Sequence, residues 1–424
     1  MLAAKAPRAF IRIGLWSCSN SSINMAPAAN KLLLLRGARI ISYDRLIETG
    51  ALLINSSRIA AVFDASTDQL PAVDSVIDLA GLTLFPGFID VHIHGAAGVD
   101  TMDASADELR RVSEFLARRG VTAWLPTLVP SATEKYEHAV TVIEELIREQ
   151  RVLPAGNPRS RPLGVHYEGP FVNSEQCGAL HREHFRNFRE VANLDSLPVI
   201  KIEDAVHLMT LAPEVEGGID LIKELSRRGW IVSIGHTRAT LEVLDEALQA
   251  GARHLTHFMN AMPPLHHRAP GPVGWGLTHD DVTCDVIADG VHLDPSILKL
   301  IMRSKTAERV SLISDAVAPT GLGDGEYQIW GETIRVISGR TQNAHGSIAG
   351  SVITMLDAVR MMLSLGVLET EVARMASLNP ARLLRIDHDC GSIKEGKRAD
   401  LVALDREGKV RLTIIGGLPM ANDK

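Results

Sequence analysis

Between residues 88 and 313 the chain repeats one pattern eight times: a short apolar run of strand length, in most cases followed by a stretch of helical period. The runs are Phe88–Ile93, Thr122–Leu125, Leu163–Tyr167, Val206–Leu211, Trp230–Ile234, Leu255–Phe258, Cys284–Ile287 and Val310–Ile313. Apolar positions recur at helical spacing in Ala106–Arg119, Lys135–Arg148, Ile219–Arg228 and Thr240–Ala250. Gly120, Gly229 and Gly251 follow three of these stretches, where a helix commonly ends in the left-handed conformation. Strands joined through helices pair in parallel, and eight such units close into a barrel. The expected fold class is α/β, a (β/α)8 TIM-like barrel over residues 85–389.

The two ends have a different texture. Residues 31–84 carry short apolar runs broken by Gly, Asn and Asp, and residues 390–424 carry two more, Ala399–Leu404 and Val410–Ile415. Both ends are expected to build one small β-sandwich domain. The Gly-rich segment Thr320–Gly350 interrupts the pattern after the eighth strand, with the look of a hairpin insertion before a helix at Ser351–Ser364.

Composition excludes several classes. A net charge of −7 argues against a nucleic-acid or acidic-membrane partner, and no run approaches the roughly 20 apolar residues of a membrane span. The four cysteines, Cys18, Cys177, Cys284 and Cys390, are scattered, which suits a reducing compartment; a cytoplasmic location is expected. Residues 1–30 are expected to be a disordered extension or to precede a true start at Met25. Their basic, Ser-rich composition leaves a transit peptide as the alternative.

Chemistry is expected where barrel strands end. The first strand ends in Asp90-Val91-His92-Ile93-His94, and residues at i and i+2 share one strand face. The third ends at Glu168, the fifth at His236, the sixth at His257 and the eighth at Asp315. Imidazole and carboxylate are ligands for zinc and similar divalent ions, and here they arrive from separate strands at one rim. Any one of them alone would more often be a hydrogen-bonded loop residue; their coincidence points to a metal site. His254, three residues before His257, is expected to face the other side, and His138, His207 and His279 are expected on helix or loop surfaces.

The stretch Pro86-Gly87-Phe88-Ile89-Asp90-Val91-His92-Ile93-His94-Gly95 resembles the opening motif of the amidohydrolase superfamily. More narrowly, His166-Tyr167-Glu168-Gly169-Pro170, Leu211-Ala212-Pro213-Glu214, Gly235-His236-Thr237, His257-Phe258-Met259-Asn260-Ala261-Met262 and Ser314-Asp315-Ala316 resemble the N-acetylglucosamine-6-phosphate deacetylase family, from about residue 31 onward. The resemblance implies hydrolysis of the acetamide of N-acetylglucosamine 6-phosphate to glucosamine 6-phosphate and acetate. Glu168, His236 and His257 would bind a divalent metal, zinc first, with iron, manganese or cobalt as alternatives. Asp315 would be the catalytic base and then acid. Members with histidine at the positions of His92 and His94 can hold a second ion, so one or two ions per chain are expected.

For the substrate, the resemblance implies contacts from His181, Asn260, Ala261, Arg268 and His292. Arg268 would reach the partner's site in a homodimer. The family's Gly-x-His is Gly178-Ala179-Leu180-His181 here, one residue longer, which leaves the contact from His181 and the preferred epimer open. The alternatives are deacetylation of N-acetylgalactosamine 6-phosphate, another amide hydrolysis on the same barrel, or a non-catalytic scaffold.

Overall fold

The computed structural model describes residues 31–64, 70–152, 158–344 and 346–421; the expectations for residues 1–30 lie outside the described residues. Its central sheet runs Phe88–Ile93, Val121–Leu128, Gly164–Glu168, Val206–Leu211, Ile231–Ile234, His254–Leu255, Thr283–Ile287 and Val310–Ile313, each strand parallel to the next. The eighth strand returns to the first through a parallel bridge between Ile93 and Ala316. There Asp315 N donates to His92 O at 2.9 Å and His94 N to Ala316 O at 2.8 Å. The barrel therefore closes at the rim where strands end, between two residues of the candidate site.

Both faces of these strands are covered, which is why they read as continuous apolar runs rather than alternating ones. Ile89, Val91, Ala123, Leu125, Leu208, Ile287 and Ile313 pack together in one apolar cluster. Trp124, Tyr167, Met209 and Val232 pack with the helices in a second, larger one. The helix Ala106–Ala117 shows how the helical layer forms. Ser105 caps it in a reciprocal box with Glu108, and Leu109, Val112 and Leu116 bury one stripe. Burying each such side chain contributes roughly 1.5–3 kcal/mol.

The termini meet in one continuous eight-stranded sheet ordered Leu418–Ala421, Val410–Ile415, Leu401–Leu404, Thr83–Pro86, Leu32–Ser42, Arg45–Asn55 and Arg58–Phe63, with Ser75–Asp78 also on Leu32–Ser42. Leu32–Ser42 pairs first with Ser75–Asp78 and then with Thr83–Pro86, its register shifting around Gly37. The sheet wraps a core of its own that includes Leu35, Ile40, Leu52, Ile54, Leu401 and Ile414. No helix among the described residues is long and apolar enough to cross a membrane.

Three local expectations differ. The sixth strand is only His254–Leu255, because His257 has φ 32° and Met259 φ 76°, values no strand tolerates. The helix expected at Ser351–Ser364 begins at Met355, since Ser351 stays extended to bridge Ala316 and Thr354 takes the cap. His207 lies on a strand rather than a helix or loop, with Nε2 accepting from Ile200 N at 3.0 Å. The Gly-rich insertion is a three-stranded meander, Gly325–Ile329, Glu332–Ile337 and Arg340–Gln342.

Candidate metal centre

Five strand ends deliver six side chains of metal-ligand type to one place. Glu168 is the hub. Its Oε1 lies 2.9 Å from His236 Nε2 and 3.0 Å from His257 Nε2, and those two nitrogens are 3.1 Å apart. Its Oε2 lies 3.3 Å from His94 Nε2, and Oε1 lies 3.6 Å from His92 Nε2. Asp315 Oδ1 faces the same two rings at 3.2 Å and 3.4 Å, with His92 and His94 Nε2 3.2 Å apart. The six fall into two buried groups, Glu168/His236/His257 and His92/His94/Asp315, with Glu168 in reach of both.

Imidazole nitrogens do not approach one another at 3.1–3.2 Å without a shared proton or cation between them. The charges point the same way. Burial pushes the His94 and His257 imidazoles toward neutrality, but the adjacent carboxylates reverse this, raising His94 to about 10 and His257 to about 9. Burial likewise raises the Glu168 carboxyl, yet the surrounding imidazoles, His92 foremost, hold it well below its usual range. The donor set asks for positive charge, and its nitrogen and oxygen ligands fit a divalent ion of the zinc class.

The rings are held from behind. His236 Nδ1 lies 2.8 Å from the Gln176 carbonyl oxygen, which leaves Nε2 for the centre. Under His92, the His166 ring packs edge-on at 4.6 Å and bonds Thr210 Oγ1 at 2.8 Å. Burial drives His166 well below the usual imidazole range, so it is a neutral support. Asp90, fully buried, accepts from Ser314 Oγ at 2.5 Å and Ser314 N at 3.2 Å, tying the first strand to the eighth. Asp285 accepts from His257 N and lies 2.9 Å from His254 Nε2, which places His254 behind the site. His236, His257 and Asp315 all sit at positive φ, 49°, 32° and 50°. Such backbone costs of order 1–3 kcal/mol per residue and persists where surrounding contacts impose it.

Sequence reasoning passed over Asp90, His166, Asp285 and Ser314. Asp90 carried a signal, being two residues from His92 and hence on the same strand face. The others gain their partners only through the closed barrel.

The expected substrate residues are less gathered. His292 is anchored, with Nδ1 2.7 Å from Asp289 Oδ2, and Asn260 Nδ2 donates to His257 O at 3.2 Å. Ala261 follows at φ 50° in the same turn. Leu180 is buried in the core, whereas His181 turns to Glu183 at 3.3 Å and is 24 % exposed. Arg268 lies on an exposed loop beside Leu265, and its guanidinium makes no ion pair among the described residues.

A closed parallel barrel with this ligand rim defines an amidohydrolase, and the model of the amidohydrolase family matches residues 83–420. An N-acetylgalactosamine-6-phosphate deacetylase of Escherichia coli O157:H7 is 38% identical over 373 residues, 88% of this chain and 95% of that one. The N-acetylglucosamine-6-phosphate deacetylase of Bacillus subtilis is 34% identical over 390 residues, 91% and 96% of the two chains. The crystal structure of N-acetylglucosamine-6-phosphate deacetylase from Pasteurella multocida superposes with a TM-score of 0.83 at 30% identity, covering 92% of this chain and all of that one. The chain belongs to the N-acetylglucosamine-6-phosphate deacetylase family of amidohydrolases.

Proposed function

We propose that this chain hydrolyses the acetamide of N-acetylglucosamine 6-phosphate to glucosamine 6-phosphate and acetate, as a homodimer in the cytoplasm. The observation that carries the proposal is Glu168 within 3.6 Å of all four imidazole Nε2 atoms while Asp315 faces two of them. Glu168, His236 and His257 would hold one zinc ion, and His92, His94 and Asp315 a second, with Glu168 between them.

A divalent ion in such a site lowers the pKa of water toward ~7 and polarises the acetyl carbonyl. Asp315 takes the proton from the attacking water and returns it to the departing amine. Its backbone, at positive φ and bonded to His92 O, fixes the carboxylate over the first strand, so the base does not swing away between the two transfers. Asp289 holds one ring nitrogen of His292 and leaves the other free for the phosphate. Arg268 supplies a planar fork of donors to the same group in the partner subunit. Its free guanidinium and the exposed Leu265 beside it support a loop that is covered by a second copy. His181 contributes once the loop from Gly178 turns it inward.

The galactosamine epimer is the second reading, favoured by the relative of that name and by the longer Gly178–His181 run. Acetate release from the two N-acetylhexosamine 6-phosphates and their unphosphorylated forms tests both. Faster release from the gluco 6-phosphate is expected. Faster release from the galacto 6-phosphate would select the second reading, and no release from any of the four by metal-loaded protein would reject both.

A further inference from the structure

Three candidate metal ligands, His92, His94 and His257, have a buried Nδ1 with no hydrogen-bond partner among the described residues. An imidazole that binds an ion through one nitrogen ordinarily donates its other N–H to a carboxylate, carbonyl or water, which fixes its tautomer and its aim. Beside one of the three lies an unused acceptor. Asp100 Oδ2 is the one carboxylate oxygen among the described buried side-chain atoms that lacks a partner. Asp100 Oδ1 is already engaged, accepting from Met102 N at 2.8 Å.

The backbone holds Asp100 close to His94. Val99–Asp100 pairs with Gly95–Ala96, the two residues after His94, and Thr101 N donates to His94 O at 2.8 Å. The ribbon is tight enough that a Cβ on Gly95 would stand 2.0 Å from Val99 O, so any side chain there would push Asp100 away. A third atom completes the set. Trp330 occupies the turn of the meander, its ring lies edge-on to His94 with centroids 5.2 Å apart, and its buried Nε1–H has no partner.

We infer that Asp100 is the positioning carboxylate of His94, taking Nδ1–H of His94 and Nε1–H of Trp330 on the oxygen that Met102 leaves free. Trp330 then couples the meander inserted after the eighth strand to the ion position of His92, His94 and Asp315. The inference rests on the reading that those three residues hold a second ion. It gives no role to the Glu168/His236/His257 position, whose His236 is oriented by Gln176 instead.

The test uses the metal-loaded full chain, Asp100→Asn and Trp330→Phe. Ions retained per chain are counted against graded chelator, and the zinc is replaced by cobalt to read the visible spectrum of each position. Each variant is expected to release one ion at about 10–100-fold lower chelator concentration, with the other ion held as in the unaltered protein. Trp330→Phe removes the N–H while leaving a smaller aromatic ring beside His94, so it serves if Asp100→Asn does not fold. Two ions in the unaltered protein and wild-type retention in both folded variants overturn the inference alone. Equal weakening of both ions also overturns it, since that marks a general structural role. A single ion in the unaltered protein overturns the two-ion reading and the inference with it.

Discussion

Asp90→Ala tests the brace beneath the metal centre. The Asp90 carboxylate accepts from Ser314 Oγ at 2.5 Å and Ser314 N at 3.2 Å, and at 3.4 Å from His92 N, all in the interior. Removing it strands two firmly held buried donors, each costing about 1–3 kcal/mol, so roughly 2–6 kcal/mol is lost. At about 2.1 cal/mol/K of unfolding entropy per residue, a chain of 424 residues loses about 2–7 °C of Tm. The damage is also local, because Ser314 precedes Asp315 and His92 is a candidate ligand, so metal content should fall with stability. Asp90→Asn separates geometry from charge. Burial pushes the Asp90 carboxyl up to about 6 despite the Ser314 and His92 donors, so a neutral amide of the same shape should restore most of the Tm. Thermal unfolding by calorimetry with parallel metal analysis gives both readouts. A Tm within ~1 °C of the unaltered protein for Asp90→Ala, with full metal content, would refute the reasoning.

The remaining predictions concern the candidate ligands and the phosphate. Asp315→Asn should abolish acetate release while leaving the ion of Glu168, His236 and His257 bound; loss of all metal would show that Asp315 acts chiefly as a ligand. His92→Gln should halve the metal content, and unchanged content would sink the two-ion reading. Arg268→Ala should raise KM much more for the phosphorylated substrate than for the free sugar; equal effects on both would remove its phosphate role.

The barrel was legible because its strands are buried on both faces and separated by stretches with a helical stripe; both are local properties of the chain. The convergence of the candidate ligands was legible for a related reason. Glu168, His236 and Asp315 each terminate an apolar run, and a strand end in a parallel barrel has only one rim to point at. The brevity of the sixth strand was not legible, because the positive φ of His257 goes with bonds from His257 N and Phe258 N to Asp285, a residue of the next strand, rather than with local propensity. Nor was the placement of the meander. Trp330 lies far from His94 in sequence, and only the bridge of Ala316 to Ile93 and Ser351 brings the insertion back over the first strand. His181 shows the reverse case: the extra residue in Gly178–His181 was visible at once, and the structure shows its consequence, Leu180 buried and His181 turned to Glu183.

The central claim is that one buried carboxylate, Glu168, joins two ion positions that together run amide hydrolysis on a sugar phosphate. Metal content and acetate release measured on one preparation, for the unaltered chain and Glu168→Gln, test it most directly. The account predicts zinc at two ions per chain and rapid acetate release from N-acetylglucosamine 6-phosphate in the unaltered protein, with both largely lost in Glu168→Gln. Glu168→Gln that keeps its metal and its acetate release would contradict it.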